Sequence, residues 1–186
     1  IMGVDPARSG DRTVIAFRRG REIPHYYTWE DMDEMRLAGI VSNLIDKHQP
    51  LMCNIDVGLG YGTIDRLLER GYRNINGVHF GSQANEPDIY RNIRAEMWCN
   101  MAEWFKGRNI NIPDKDELHA DLTSVPDIKH TSDGTIKLES KDNIKKDFGR
   151  SPDIGDALAL TFSIPYTVRD EKKKLQVAKK KKVAWR

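Results

Sequence analysis

The chain is poor in cysteine: two residues in 186, Cys53 inside an apolar run and Cys99 inside a helical pattern with Trp98 and Met101, and no Cys-x-x-Cys pair. That excludes a disulfide-stapled scaffold and a thiolate zinc site. Both thiols read as small core residues of a reduced, intracellular protein. A metal, if one is held, is held by oxygen. Also missing is any apolar run near the roughly 20 residues of a spanning helix, or a charged-then-apolar leader, so no membrane association is expected. An initiator Met is absent too: Ile1 leads directly into an apolar run, which suggests a piece of something longer. Net charge is only +2. The basic excess is local, with Lys141, Lys145, Lys146 and Arg150 crowding one segment and "RDEKKKLQVAKKKKVAWR" closing the chain as a solvated tail.

What is present suits one α/β domain: 39% of residues are hydrophobic and 31% charged. We place that domain at residues 1–166 and the basic tail at 167–186. "IMGVD", "TVIAFRR" and "EIPHYYTW" have the spacing of an antiparallel meander. A crossover helix follows over Met32 to His48, with Pro50 just beyond. "LMCNID", the glycine-rich "VGLGYG", the helical "TIDRLLERGY" and the strand-like "INGVHF" make a βαβ unit, hence a parallel pair. A long helix is predicted over "IYRNIRAEMWCNMAEWFKGR", with Ile89, Ile93, Met97, Met101, Trp104 and Phe105 along one side. "DKDELHADLTSV" reads as a further helix. Asp133-Gly134 marks a hairpin, and the chain then passes through the basic "KDNIKKDFGR". "SPDIGDALALTFSIP" starts a helix, with Ser151 as cap and Pro152 at the first helical position.

Two of the apolar runs end in aspartate, Asp5 and Asp56. If their strands are neighbours, both carboxylates emerge at the sheet edge where α/β folds place ligands. Asp153 and Asp156, three apart on the last helix, project from one of its faces. Unit charges of like sign about 4 Å apart repel by roughly 4 kcal/mol at an effective dielectric of 20, so such a cluster calls for a cation. Acids without His or Cys are the ligand set of a hard divalent ion, Mg²⁺ or Mn²⁺, and two such ions suit phosphodiester hydrolysis. Taken singly each acid has an ordinary alternative: a turn residue at Asp5 or Asp56, a helix cap at Asp153. "GLGYG" lacks a P-loop lysine and reads as backbone that lets a substrate come close. His79, at the end of an apolar strand, reads as a core histidine, and His130 lies in a hairpin arm.

The stretches "GVDPARSGDRTVI", "NIDVGLGYGTIDRLLERGY", "VHFG", "YRNIRAEMWCNMAEW" and "LESKDNIKKDFGRSPDIGDALALTF", from residue 3 to about 163, together resemble the nuclease domain of the large terminase subunit of tailed bacteriophages. The "SPDIGDAL" segment is also similar to the Asp-x-x-Asp-Ala-Leu end of bacterial junction resolvases. The resemblance implies a ribonuclease H-like fold: a mixed sheet of three antiparallel strands plus parallel strands, flanked by helices. It implies an Mg²⁺- or Mn²⁺-dependent endonuclease with one or two ions that cuts concatemeric double-stranded viral DNA during packaging in the host cytoplasm. Asp5 takes the role of the first-strand acid and Asp56 that of the acid after the crossover. Asp153 and Asp156 are carried over on the "SPDIGDAL" match as the third site, either both on the metal or one on it with the other behind. Arg8, Arg12, Lys141, Lys145, Lys146 and Arg150 are candidates to grip flanking phosphates without reading sequence. Implied partners are the portal protein, the small terminase subunit and an ATPase domain of the full-length chain. No G-x-x-x-x-G-K-[ST] occurs here, so this chain is expected to cut rather than pump.

Two rivals stand beside that expectation. A "GVD" strand with a polar hairpin also opens the nucleotide site of actin-like and sugar-kinase-like ATPases, although those clamp the nucleotide between two such domains. The other rival is a non-catalytic module for DNA or portal docking through the basic tail.

Overall fold

The computed structural model describes residues 1–8, 11–125 and 128–164. Three strands open the chain, β1 (Met2–Asp5), β2 (Thr13–Phe17) and β3 (Tyr26–Trp29), each antiparallel to the one before, with Val4 opposite Ile15 and Val14 opposite Thr28. Helix α1 (Glu34–His48) then crosses over. Its start is set by Asp33, whose carboxylate accepts the Arg36 amide at 2.8 Å, and its end by Gln49 in the left-handed region. The crossover delivers β4 (Cys53–Asp56) parallel to β1, and α2 (Tyr61–Glu69) delivers β5 (Ile75–Val78) parallel to β4. The sheet order is β3-β2-β1-β4-β5, the mixed sheet of three antiparallel strands plus parallel strands that was expected.

Side chains alternate across this sheet. Met2, Val4, Ile15, Phe17, Cys53 and Ile55 point to one face, where α1 and α2 seal them with Leu37, Val41, Ile45 and Leu67. Gly3, Val14, Ala16 and Asn54 point to the other, and a second group of elements covers that side. It comprises α3 (Ile93–Phe105), α4 (Asp116–Ser124), a hairpin of β6 (Lys129–His130) and β7 (Ile136–Lys137), α5 (Lys141–Phe148) and α6 (Asp153–Leu160).

Every residue of α6 is buried, because the helix is sandwiched between the sheet and α3 and α4. Two glycines make that approach possible. A Cβ on Gly3 would lie 2.0 Å from the Ala157 carbonyl oxygen, and one on Gly155 would lie 2.5 Å from the Trp98 ring. The Asn54 side-chain amide donates to the Leu160 carbonyl at 2.8 Å, so the helix end is tied to the sheet across the same face.

Two expectations are corrected, and one stretch without a predicted element proves helical. The long third helix begins at Ile93, where the Asn92 side chain accepts the Ala95 amide at 2.9 Å, and Ile89 lies outside it, 44% exposed. The basic "KDNIKKDF" is helical: the Ser140 hydroxyl accepts the Asn143 amide, and Gly149, at φ +75°, ends the helix. The last helix begins one residue later than read, with Pro152 in the cap position and no side-chain cap bond from Ser151. The tail at 167–186 lies outside the described residues. Among the described residues no helix is long and apolar enough to cross a membrane.

Candidate active site

Because Val4 pairs with Ile55 in the parallel register of β1 and β4, Asp5 and Asp56 follow at the same level, on strands about 4.8 Å apart. Both share the side of the sheet that carries Gly3 and Asn54, so both face α6. The first turn of α6 brings Asp153 and Asp156 to that edge. The acids far apart in the chain therefore meet at one corner of the molecule.

A cation already sits among them. Lys141, the first residue of α5, places Nζ 3.3 Å from Asp5 Oδ2 and 2.9 Å from Asp156 Oδ2, over the face of Phe80 at 5.0 Å. Burial weakens the lysine's hold on its proton, but Asp5 and Asp156 together outweigh it and push the ammonium's pKa above the usual lysine range. Lys141 was expected on flanking phosphates, and the fold aims it instead into the acidic corner.

The four acids are unequal. Asp5 is 3% exposed, and burial lifts its pKa to about 8 against the pull of Lys141, with Asp156, Asp56 and Asp153 adding repulsion. Burial also raises Asp56, which accepts one backbone amide, from Gly58 at 3.2 Å. Asp153 is raised to about 6, again by burial, against a 3.2 Å bond from the Arg12 amide. Asp156 lies below the usual carboxylate range. Its complete burial favours the neutral form, but Arg94 Nε at 3.1 Å, Lys141, and Trp98 Nε1 at 2.7 Å overcome that.

Asp156 is thus held from behind by α3, and Arg94 extends the hold. Its Nη1 donates to the Glu139 carbonyl at 2.9 Å, two residues before Lys141. Arg94 and Trp98 were not singled out from the sequence as site residues. Their signal is a cation and an indole four apart on a helix, on the side that the apolar stripe buries. Asp121 was missed as well. It is fully buried on α4, accepts the Ile154 amide at 2.8 Å, and meets Arg150 at 2.9 Å and Arg12 at 3.8 Å. It pins the start of α6 and so the height of Asp153 and Asp156.

The remaining basic candidates divide. Arg12 reaches Glu117 at 3.2 Å besides Asp121 and Asp153, and Lys145 reaches Asp11 at 2.6 Å, so these cations are neutralised within the protein. Arg150 is spent on Asp121. Arg8 and Lys146 are exposed. His79 is exposed at the end of β5 and not a core residue, and His130 is exposed on β6.

Among the described residues no group of three or more Asp, Glu, His or Cys is drawn tightly enough to ligate an ion as it stands. The acids are instead spaced around an ammonium.

No protein-family model and no curated protein sequence matches the chain. Solved structures do. The nuclease domain of the large terminase subunit of the bacterial virus Sf6 superposes with a TM-score of 0.75 at 19% identity, over 89% of this chain and 88% of that one. The large terminase nuclease of the thermophilic phage G20c gives 0.64 at 17% identity, over 89% and 81%. The nuclease domain of Thermus phage P74-26 gives 0.60 at 14%, over 86% and 75%. Relatives of this fold were solved with manganese, in the Sf6 domain, and with magnesium, in the G20c nuclease. The chain has the fold of these domains across nearly its whole described length.

Proposed function

We propose that this chain is a divalent-metal-dependent endonuclease that cuts double-stranded DNA, acting on concatemeric viral genomes during packaging. The observation that carries the reading is the convergence of Asp5, Asp56 and the first turn of α6 around one positive charge, in a fold shared with terminase nucleases. Burial holds Asp5, Asp56 and Asp153 above their ordinary proton affinity, a standing energetic penalty that an incoming cation relieves. The donor set is hard oxygen throughout, which fits Mg²⁺ or Mn²⁺. The Lys141 ammonium seated between Asp5 and Asp156 supports a corner suited to positive charge.

Asp5, Asp56 and Asp153 would hold the metal, one ion or two. Asp156, saturated by Arg94 and Trp98, orients Lys141 and the start of α6. A divalent ion bound there supplies Lewis acidity to the scissile phosphate and lowers the pKa of an attacking water. The protein's own residues do the rest. Asp5 and Asp56, fixed by strand register, set the position of the phosphate along the sheet edge. The closely packed α6 keeps Asp153 opposite them, and no side chain need act as base. Preorganisation of charge by rigid elements, not by loops, is what such a site requires.

The test is conversion of supercoiled plasmid to nicked and linear forms. The wild-type chain should cut with Mn²⁺ or Mg²⁺ and not with EDTA, and Asp5→Asn and Asp56→Asn should each abolish cutting. Wild-type rates in either variant would remove the metal assignment.

A further inference from the structure

His79 lies one residue past the end of β5, and Val78 pairs with Asp56 across the parallel register. The ring therefore belongs to the same sheet edge as the strand-end acids, exposed and within electrostatic reach of Asp56. Its orientation is set by its own turn. The Gly81 amide donates to Nδ1 at 3.2 Å, so Nδ1 is the accepting nitrogen and Nε2 is left as the donor, on the side of the ring away from Gly81. That Nε2–H has no protein acceptor among the described residues.

The turn is also rigidly built. Ser82 donates to the His79 carbonyl twice, from its amide at 2.9 Å and its hydroxyl at 2.8 Å. The Arg94 amide donates to the Phe80 carbonyl at 3.2 Å and the Ile93 amide to the Ser82 carbonyl at 3.0 Å, which staples the turn to the start of α3. A Cβ on Gly81 would lie 3.2 Å from His79 Cε1 and 3.4 Å from Nδ1, so the glycine leaves room for the ring in this seat. Little freedom remains for a ligand to remove, which is how a single donor becomes worth a measurable amount.

We propose that His79 binds the DNA strand the site cuts, its Nε2–H donating to a non-bridging phosphate oxygen beside the scissile bond. This rests on the nuclease reading above. A corner lined with carboxylates repels the backbone it must admit, and a fixed N–H donor held at its rim draws a phosphate oxygen in. No proton changes hands; His79 positions the strand.

Steady-state cutting of a short labelled duplex with Mn²⁺ tests this. His79→Ala should raise KM about tenfold, the value of one hydrogen bond to a charged acceptor, and change kcat less than about twofold. His79→Gln, which presents an amide N–H, should recover most of that loss. A duplex carrying a neutral methylphosphonate at the contacted phosphate should cost the wild type about as much and the alanine variant nothing further. A wild-type KM in His79→Ala overturns the proposal. So does failure of Gln with rescue by His79→Lys, which would point to charge instead of a fixed donor. Thermal melts of each variant report folding, and the methylphosphonate comparison on the wild type stands even if a variant melts early. If the wild type itself does not cut, the nuclease reading falls. If it cuts and His79→Ala cuts equally well, only this inference falls.

Discussion

Asp5 and Asp156 are the same residue type, both buried, both within 3.3 Å of one lysine nitrogen, and their proton affinities are displaced in opposite directions. The difference lies in their other neighbours. Asp156 projects from a helix packed on α3 and collects Arg94 and Trp98. Asp5 ends a strand and has other carboxylates around it. A buried charge with a full set of donors belongs to the framework, and one left short of them is poised to take a ligand.

Breaking the satisfied half should do the most damage to folding. Arg94→Ala strands the Asp156 carboxylate in the interior and frees the Glu139 carbonyl, so we expect a loss of about 3–5 kcal/mol, measured by urea unfolding. A variant of wild-type stability would mean that Asp156 is no better satisfied than Asp5. The unsatisfied half should answer in reverse. Asp5→Asn should reduce cutting at least about 100-fold, since the metal's contribution to transition-state stability is several kcal/mol, yet raise the melting temperature at pH 7.

Removing the shared cation sharpens the comparison further. Lys141→Ala should melt earlier than wild type in EDTA, because the buried Asp156 carboxylate loses one of its counter-charges, and should regain more than wild type on adding Ca²⁺ or Mn²⁺; a ligand at 100 times its Kd adds about 2.7 kcal/mol. Equal metal-induced shifts in the two proteins would show that the ammonium and the metal do not share a site.

The smallest effect is in pH. Asp5 in the folded state holds its proton up to about pH 8 and Asp153 up to about 6, both above the unfolded value of 3.8. Between pH 4 and 8 the folded chain binds more protons than the unfolded one. These two groups therefore contribute stability that is fully present at or below pH 4 and is lost as pH rises through 6 and 8. Asp156, held below its ordinary value, acts oppositely: its contribution is present above that value and lost only in stronger acid. Melting temperature against pH in EDTA should show Asp5→Asn with a weaker decline from pH 4 to 8 than wild type. An unchanged slope would place the raised group elsewhere.

Strand-end acids were legible because two signals coincided: an apolar run that terminates in Asp, twice, and a turn or helix after each. The helix carrying Asp153 and Asp156 was legible from its own composition, since "DIGDALAL" is apolar enough for burial on every side. The α5 helix was not, because "KDNIKKDF" has a single aliphatic residue, and its stability comes from Ile144 packing and the Ser140 cap. Lys141 shows the limit most plainly. In a run of lysines its charge looks like its neighbours', and only the Arg94 bond to the Glu139 carbonyl and the placement of α5 turn it inward. His79 was misread for a related reason: an apolar strand predicts burial for the residue that follows it, but β5 stops at Val78 and the Ser82 bonds turn the chain outward.

By itself the sequence determined which stretches become strands and helices, because periodicity and caps act over a few residues, and it determined that carboxylates would stand at the strand ends. Which of those carboxylates are neutralised and which are left wanting was decided only by tertiary structure. Proton affinity depends on desolvation and on charges a few ångströms away, and those neighbours come from α3, α4 and α5, dozens of residues distant in the chain.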